Sequence, residues 1–147
     1  MKTLIEAVRN ARRVYLVGNG GSAANAIHIA NDLLSCGIRA HALLDISTIT
    51  AIANDFGYEL VFSRQIDVIG DKGDLLICLT GSGNSPNILK AIESAKKKGM
   101  DTLVITMGGK ASEMSDHILT ETNMQLSEEA QLMLGHEAMI CLSQKTH

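Results

Sequence analysis

An apolar run, Leu75-Leu76-Ile77-Cys78-Leu79, passes directly into Thr80-Gly81-Ser82-Gly83-Asn84-Ser85-Pro86 and then into a periodic helical stretch. No other feature constrains the fold as much. Ser85 suits a helix N-cap, and Pro86 suits the first helical position, where its missing N–H would lack a partner anyway. Ile88, Leu89, Ile92 and Ala95 recur at helical spacing. Lys96, Lys97 and Lys98 fill the last turn and Gly99 ends it. A strand that opens onto a helix N-terminus makes an anion site, because free main-chain N–H groups and the positive end of the helix dipole face the ligand. The glycines allow close approach and the hydroxyls add donors, so phosphate is the expected guest.

The same alternation of short apolar runs and helical patterns continues along the chain. Strands are expected at 14–17, 40–44, 75–79, 103–106 and 117–120. Helices are expected at 23–34, 48–53, 60–69, 86–98 and 127–144, with another helix at the start of the chain. This order specifies an α/β three-layer sandwich with a five-stranded parallel sheet, and right-handed crossovers make a flavodoxin-like strand order the default. The 147 residues contain one proline, no linker and no repeat, which predicts one domain over 1–147. Ligands of such sheets bind beyond the carboxyl ends of the strands. Gly18-Asn19-Gly20-Gly21-Ser22 and the 80–85 turn both fall there.

Other classes are disfavoured. The net charge is −3, the only basic cluster lies at a helix end, and aromatics make up 3% with no tryptophan, so no nucleic-acid surface is expected. Cys36, Cys78 and Cys141 form no CxxC spacing, and free thiols fit a reducing cytoplasm. Neither a secretion signal nor an apolar run long enough for a bilayer is read, so no membrane partner is expected.

His28 and Asp32 stand one helical turn apart on one face. They make either a half-buried histidine beside a surface acid, or a metal pair, or a base with its modulator. On the last helix, Glu129 aligns with His136, and Glu128 lies about 80° away on the same side. His136 is either a satisfied core group or a site residue; the leucines and methionines around it suit core or a subunit interface. Asn54 and Asp55 precede Gly57 and read first as a turn, with groups that could also meet a sugar.

Taken in order, GNGGSAANAIH, TAIANDFGYELVFSRQI, GDLLICLTGSGNSPNILKAI and EEAQLMLGH resemble the sugar isomerase (SIS) domain. They are most similar to the phosphoheptose isomerases, which interconvert sedoheptulose 7-phosphate and glycero-manno-heptose 7-phosphate. The resemblance implies substrate-binding positions at Asn19, Gly20, Gly21, Ser22, Asp32, Asn54, Asp55, Thr80, Gly81, Ser82, Ser85 and Glu128. It implies zinc at His28, Asp32, Glu128 and His136, and an acid/base pair of Asp32 and His136. It also implies a homo-oligomer, a dimer or a homotetramer, with sites between subunits. The chain departs from the family in having aspartate at 32 where glutamate is usual, glutamate at 128 where glutamine is usual, and Cys36 in place of an arginine. The expected function is therefore a phosphosugar aldose–ketose isomerase. The alternative is a non-catalytic module that binds the replication initiator DnaA or senses a sugar phosphate.

Overall fold

The computed structural model describes residues 2–120 and 127–143. Among these residues, seven α-helices and five strands follow one another: α1 (Lys2–Asn10), β1 (Val14–Gly18), α2 (Gly21–Ser35), β2 (Ala40–Ala42), α3 (Ile46–Phe56), α4 (Ser63–Ile69), β3 (Leu75–Leu79), α5 (Pro86–Lys97), β4 (Asp101–Thr106), α6 (Lys110–Met114), β5 (His117–Thr120) and α7 (Ser127–Ser143). A single 3₁₀ turn, Tyr58–Leu60, separates α3 from α4. The strands form one parallel sheet in the order β2-β1-β3-β4-β5. This is the flavodoxin-like order expected from the alternation.

The inner strands are buried on both faces, so their side chains divide between two cores. Val14, Leu16, Leu75 and Ile77 pack with α1, α2 and α7. Tyr15, Val17, Leu76 and Cys78 pack with α4 and α5. Burial pushes the Cys78 thiol up, which leaves it an inert core group.

The order reverses between β1 and β3, whose last residues, Gly18 and Leu79, are paired across the sheet. Crossovers diverge at that point and leave a crevice. The two glycine turns therefore stand side by side at the carboxyl edge of the sheet.

Four local features differ from the sequence expectation. The helix expected over 48–53 runs over Ile46–Phe56, because Asp45 caps it: its Oδ1 accepts from the Thr48 N–H at 2.9 Å. That bond also holds the Asp45 carboxyl below its usual range. Asn54 and Asp55 consequently lie in the last turn of α3, not in a loop, and Gly57 (φ 103°) ends the helix. The helix expected over 60–69 is broken where the chain turns inward to bury Val61 and Phe62. The strand expected over 40–44 pairs only through Ala42, and α6 is too short to show a period.

Candidate functional site

The carboxyl edge of β1 and β3 holds a cleft of about 250 Å³, lined by Asn19, Ser22, Leu79, Thr80, Gly81, Ser82, Ser85 and Glu128. No lysine or arginine is among these residues. The 80–85 turn nevertheless presents donors. The main-chain N–H groups of Gly81, Ser82 and Ser85 have no hydrogen-bond partner among the described residues, and Ser85 stands at the N-cap of α5 without using its hydroxyl there. Free amides at a helix N-terminus are the physical basis of phosphate binding without a cation.

A second layer fixes this turn. Gly83 donates to Thr80 Oγ1 at 3.2 Å, and its carbonyl accepts from the Ala111 N–H at 2.9 Å. The Lys110 N–H donates to Asn84 Oδ1 at 3.1 Å, and the Met107 N–H donates to the Gly81 carbonyl at 3.2 Å. The supporting segment, 107–110, includes Gly108 and Gly109. The glycine pair between a strand and a helix could have signalled it, but it adjoins no long helix.

The first turn of α2 faces the 80–85 turn. A Cβ on Gly18 would come within 2.6 Å of the Ser22 carbonyl oxygen, so only glycine allows this tight strand-to-helix turn. Gly20 has φ 57° and precedes the helix; Gly21 packs against the Glu128 carboxylate.

Further along α2, three side chains converge. His28 Nε2 lies 3.0 Å from His136 Nε2 and 3.3 Å from Asp32 Oδ2, and His136 Nε2 lies 3.7 Å from the same oxygen. The Asp32 side chain is 13% exposed, and its Oδ2 is buried without a hydrogen-bond partner. A buried oxygen left unpaired between two imidazole nitrogens is costly unless a proton or a cation joins them. Two imidazoles and a carboxylate are also a suitable donor set for a divalent transition metal. The group could therefore hold a metal ion.

The convergence depends on close helix packing. Asn25 donates to the Glu128 carbonyl at 2.7 Å and to Gln131 Oε1 at 3.2 Å, which anchors the start of α7 on α2. Further along, a Cβ on Gly135 would meet Ile29 Cγ1 at 2.6 Å. In an isolated helix Gly→Ala gains about 1 kcal/mol, whereas overpacking a contact costs about 1–3 kcal/mol. Gly135→Ala is therefore expected to lower the melting temperature and to push His136 away from Asp32. Thermal unfolding and metal affinity would check this; a more stable variant with unchanged affinity would refute it.

The cleft thus gathers Asn19, Ser22, Thr80, Gly81, Ser82, Ser85 and Glu128, while His28, Asp32 and His136 form a separate group on the α2–α7 seam. Glu128 lies with the cleft and is not part of that trio. Asn54 and Asp55 are exposed at the end of α3, where the Asn54 amide donates to Asp55 Oδ1 at 2.9 Å, and they do not line the cleft.

The SIS domain model matches residues 1–107. The chain belongs to the SIS domain family. Among SIS relatives, a phosphoheptose isomerase from a Nitratiruptor species is 41% identical over 143 residues, covering 90% of this chain and 76% of the relative. One from Burkholderia pseudomallei (strain 1710b) is 44% identical over 143 residues, covering 90% and 73%. The solved phosphoheptose isomerase from Francisella tularensis superposes with a TM-score of 0.87 at 30% identity, covering 98% of this chain and 82% of that one. That structure shares the parallel-sheet sandwich described above.

Proposed function

We propose that this chain is a phosphosugar aldose–ketose isomerase of the phosphoheptose type, acting between sedoheptulose 7-phosphate and glycero-manno-heptose 7-phosphate. The observation that carries the reading is the pairing of a cation-free cleft rich in amides and hydroxyls with the convergent His28, Asp32 and His136 on the same helix layer. Similarity to proteins named phosphoheptose isomerase supports it and does not favour the DnaA-binding or sensor alternative. The six-residue step from Ser22 to His28 spans roughly 9 Å along α2. That separation suits a sugar phosphate held at one end and transformed at the other.

In this reading the amides of Gly81, Ser82 and Ser85, with the hydroxyls of Ser22, Thr80, Ser82 and Ser85, hold the phosphate. Gly20 and Gly21 let the main chain approach it. Asp32 removes a proton from C1 of the ketose, and the carbonyl electrons move to O2 to give an enediolate. Return of a proton to C2 and loss of the O1 proton leave the aldehyde at C1, so atoms and charge balance. His136 moves the proton between the two oxygens. Such positioned acid/base groups contribute about 10²–10⁴-fold in rate. Zinc is the expected ion for His28, Asp32 and His136, and when bound it supplies Lewis-acid polarisation of the sugar carbonyl. Glu128 stays at the cleft wall, where its charge disfavours ligands without a compensating donor.

The reading treats residues 1–147 as one SIS domain acting in the cytoplasm. Among the described residues no helix is long and apolar enough to cross a membrane. It also assigns a homo-oligomer, a dimer or a tetramer. In support, α3 buries none of its residues, Ile46 on it is 79% exposed, and Met133 and Ile140 are exposed on α7. Apolar helix faces of this kind need a cover, and a second copy would also bring further groups toward Asn54 and Asp55.

Incubation of the purified chain with sedoheptulose 7-phosphate is expected to yield the aldose phosphate, with light scattering reporting more than one copy per particle. No turnover with any heptose, hexose or pentose phosphate would remove the isomerase assignment. A monomer at micromolar concentration would remove the oligomer.

A further inference from the structure

Asn87, the second residue of α5, is 2% exposed, and no sequence pattern marks it. Its amide pairs face to face with that of Asn19: Asn19 Nδ2 donates to Asn87 Oδ1 at 2.9 Å, and Asn87 Nδ2 donates to Asn19 Oδ1 at 2.8 Å. Asn87 Oδ1 also accepts from the Ile88 main-chain N–H at 3.0 Å. That N–H is shared with the Ser85 carbonyl at 3.0 Å, but it can only donate, so an amide NH₂ turned toward it would repel, and this sets which end of the Asn87 amide is oxygen. That in turn fixes the Asn19 amide, whose Oδ1 takes a second bond from the Tyr58 hydroxyl at 3.0 Å.

A primary amide has two N–H donors and an oxygen with two lone pairs. Asn19 Oδ1 is therefore filled and one Nδ2 hydrogen is used, which leaves a single N–H on a residue that lines the cleft. We propose that Asn87 is a positioning residue: it orients Asn19 so that this N–H is offered to a ligand oxygen, and it clamps the 18–22 turn to the first turn of α5. The opposite amide orientation would present a carbonyl, which repels phosphate and sugar carbonyl oxygens. The proposal rests on the sugar-phosphate reading above, and it explains how two turns about 60 residues apart in the chain form one rigid cradle.

The test uses the intact chain and its variants Asn87→Ala, Asn19→Ala and the double variant. Three quantities are read: KM and kcat for sedoheptulose 7-phosphate, and the Kd of inorganic phosphate by calorimetry. Loss of one oriented donor should raise KM and Kd about 10-fold in Asn87→Ala, with kcat within about 3-fold. The double variant should be no worse than Asn19→Ala, because Asn87 acts through Asn19. A merely structural role would lower the active fraction, and hence apparent kcat, at constant KM and Kd. If Asn87→Ala does not fold, the near-isosteric and uncharged Asn87→Leu replaces it: it loses the donor to Asn19, while the Ile88 N–H keeps the Ser85 carbonyl as its acceptor. Unchanged KM and Kd, or multiplying effects in the double variant, would overturn the proposal. A wild-type chain that binds phosphate without turnover removes the isomerase reading alone, since the Kd comparison still decides the role of Asn87. A wild-type chain that binds no phosphate removes both.

Discussion

Replacing His136 with alanine is expected to lower kcat for sugar-phosphate isomerisation by about 10²–10⁴-fold. His136 Nε2 meets both His28 Nε2 and Asp32 Oδ2, so the substitution takes the proposed proton carrier from the trio and one of its three candidate donor atoms. The cleft is built from the 18–22 and 80–85 turns, so affinity for inorganic phosphate should change little. Steady-state kinetics, phosphate calorimetry and metal content measured on the same preparation separate these effects. A variant with kcat within about 3-fold of wild type would leave the imidazole without a chemical role. One that lost phosphate binding too would show that the two groups are not independent.

Gly83→Ala should have the largest effect on the cradle itself. Gly83 has φ 65°, and a Cβ there would run into the Gly108 carbonyl oxygen and approach Thr106 Oγ1 at 3.0 Å. Its N–H and carbonyl are both engaged, to Thr80 and Ala111, so the residue cannot shift aside without breaking the second layer. Left-handed strain costs about 1–2 kcal/mol and the clash about 1–3 kcal/mol more, for a combined loss of about 2–5 kcal/mol. Gly37→Ala is the internal control: φ is 78° there, but open space surrounds the added methyl. Gly37→Ala should lose only the strain and keep phosphate affinity, whereas Gly83→Ala should lose both stability and affinity. Equal denaturation midpoints for the two variants would mean that the 107–110 support carries no weight.

Both predictions concern residues whose surroundings were readable to different degrees. The 80–85 turn announced itself, because N-cap chemistry, proline at the first helical position and a lysine-rich last turn are local signals. The pairing of Lys96 with Asp116 at 2.9 Å was not readable, since Asp116 lies 20 residues away. Asn54 and Asp55 show the opposite failure. Their composition reads as a turn, but the Asp45 cap starts α3 early and Gly57 ends it late, so the helix absorbs them.

The sequence alone determined the α/β alternation, the parallel order and the two glycine turns at the sheet edge, because strand burial, helix periodicity and turn chemistry are encoded within a few neighbouring residues. Spacing could place His28 beside Asp32 for the same reason. The family resemblance grouped His136 with them, but the contacts themselves came from the fold: His136 reaches the pair from a helix more than 100 residues away, Gly135 opens the seam for it, and Asn87 orients Asn19. Those contacts depend on how close two helices approach and which way a buried amide faces, and no local pattern along the chain records either quantity.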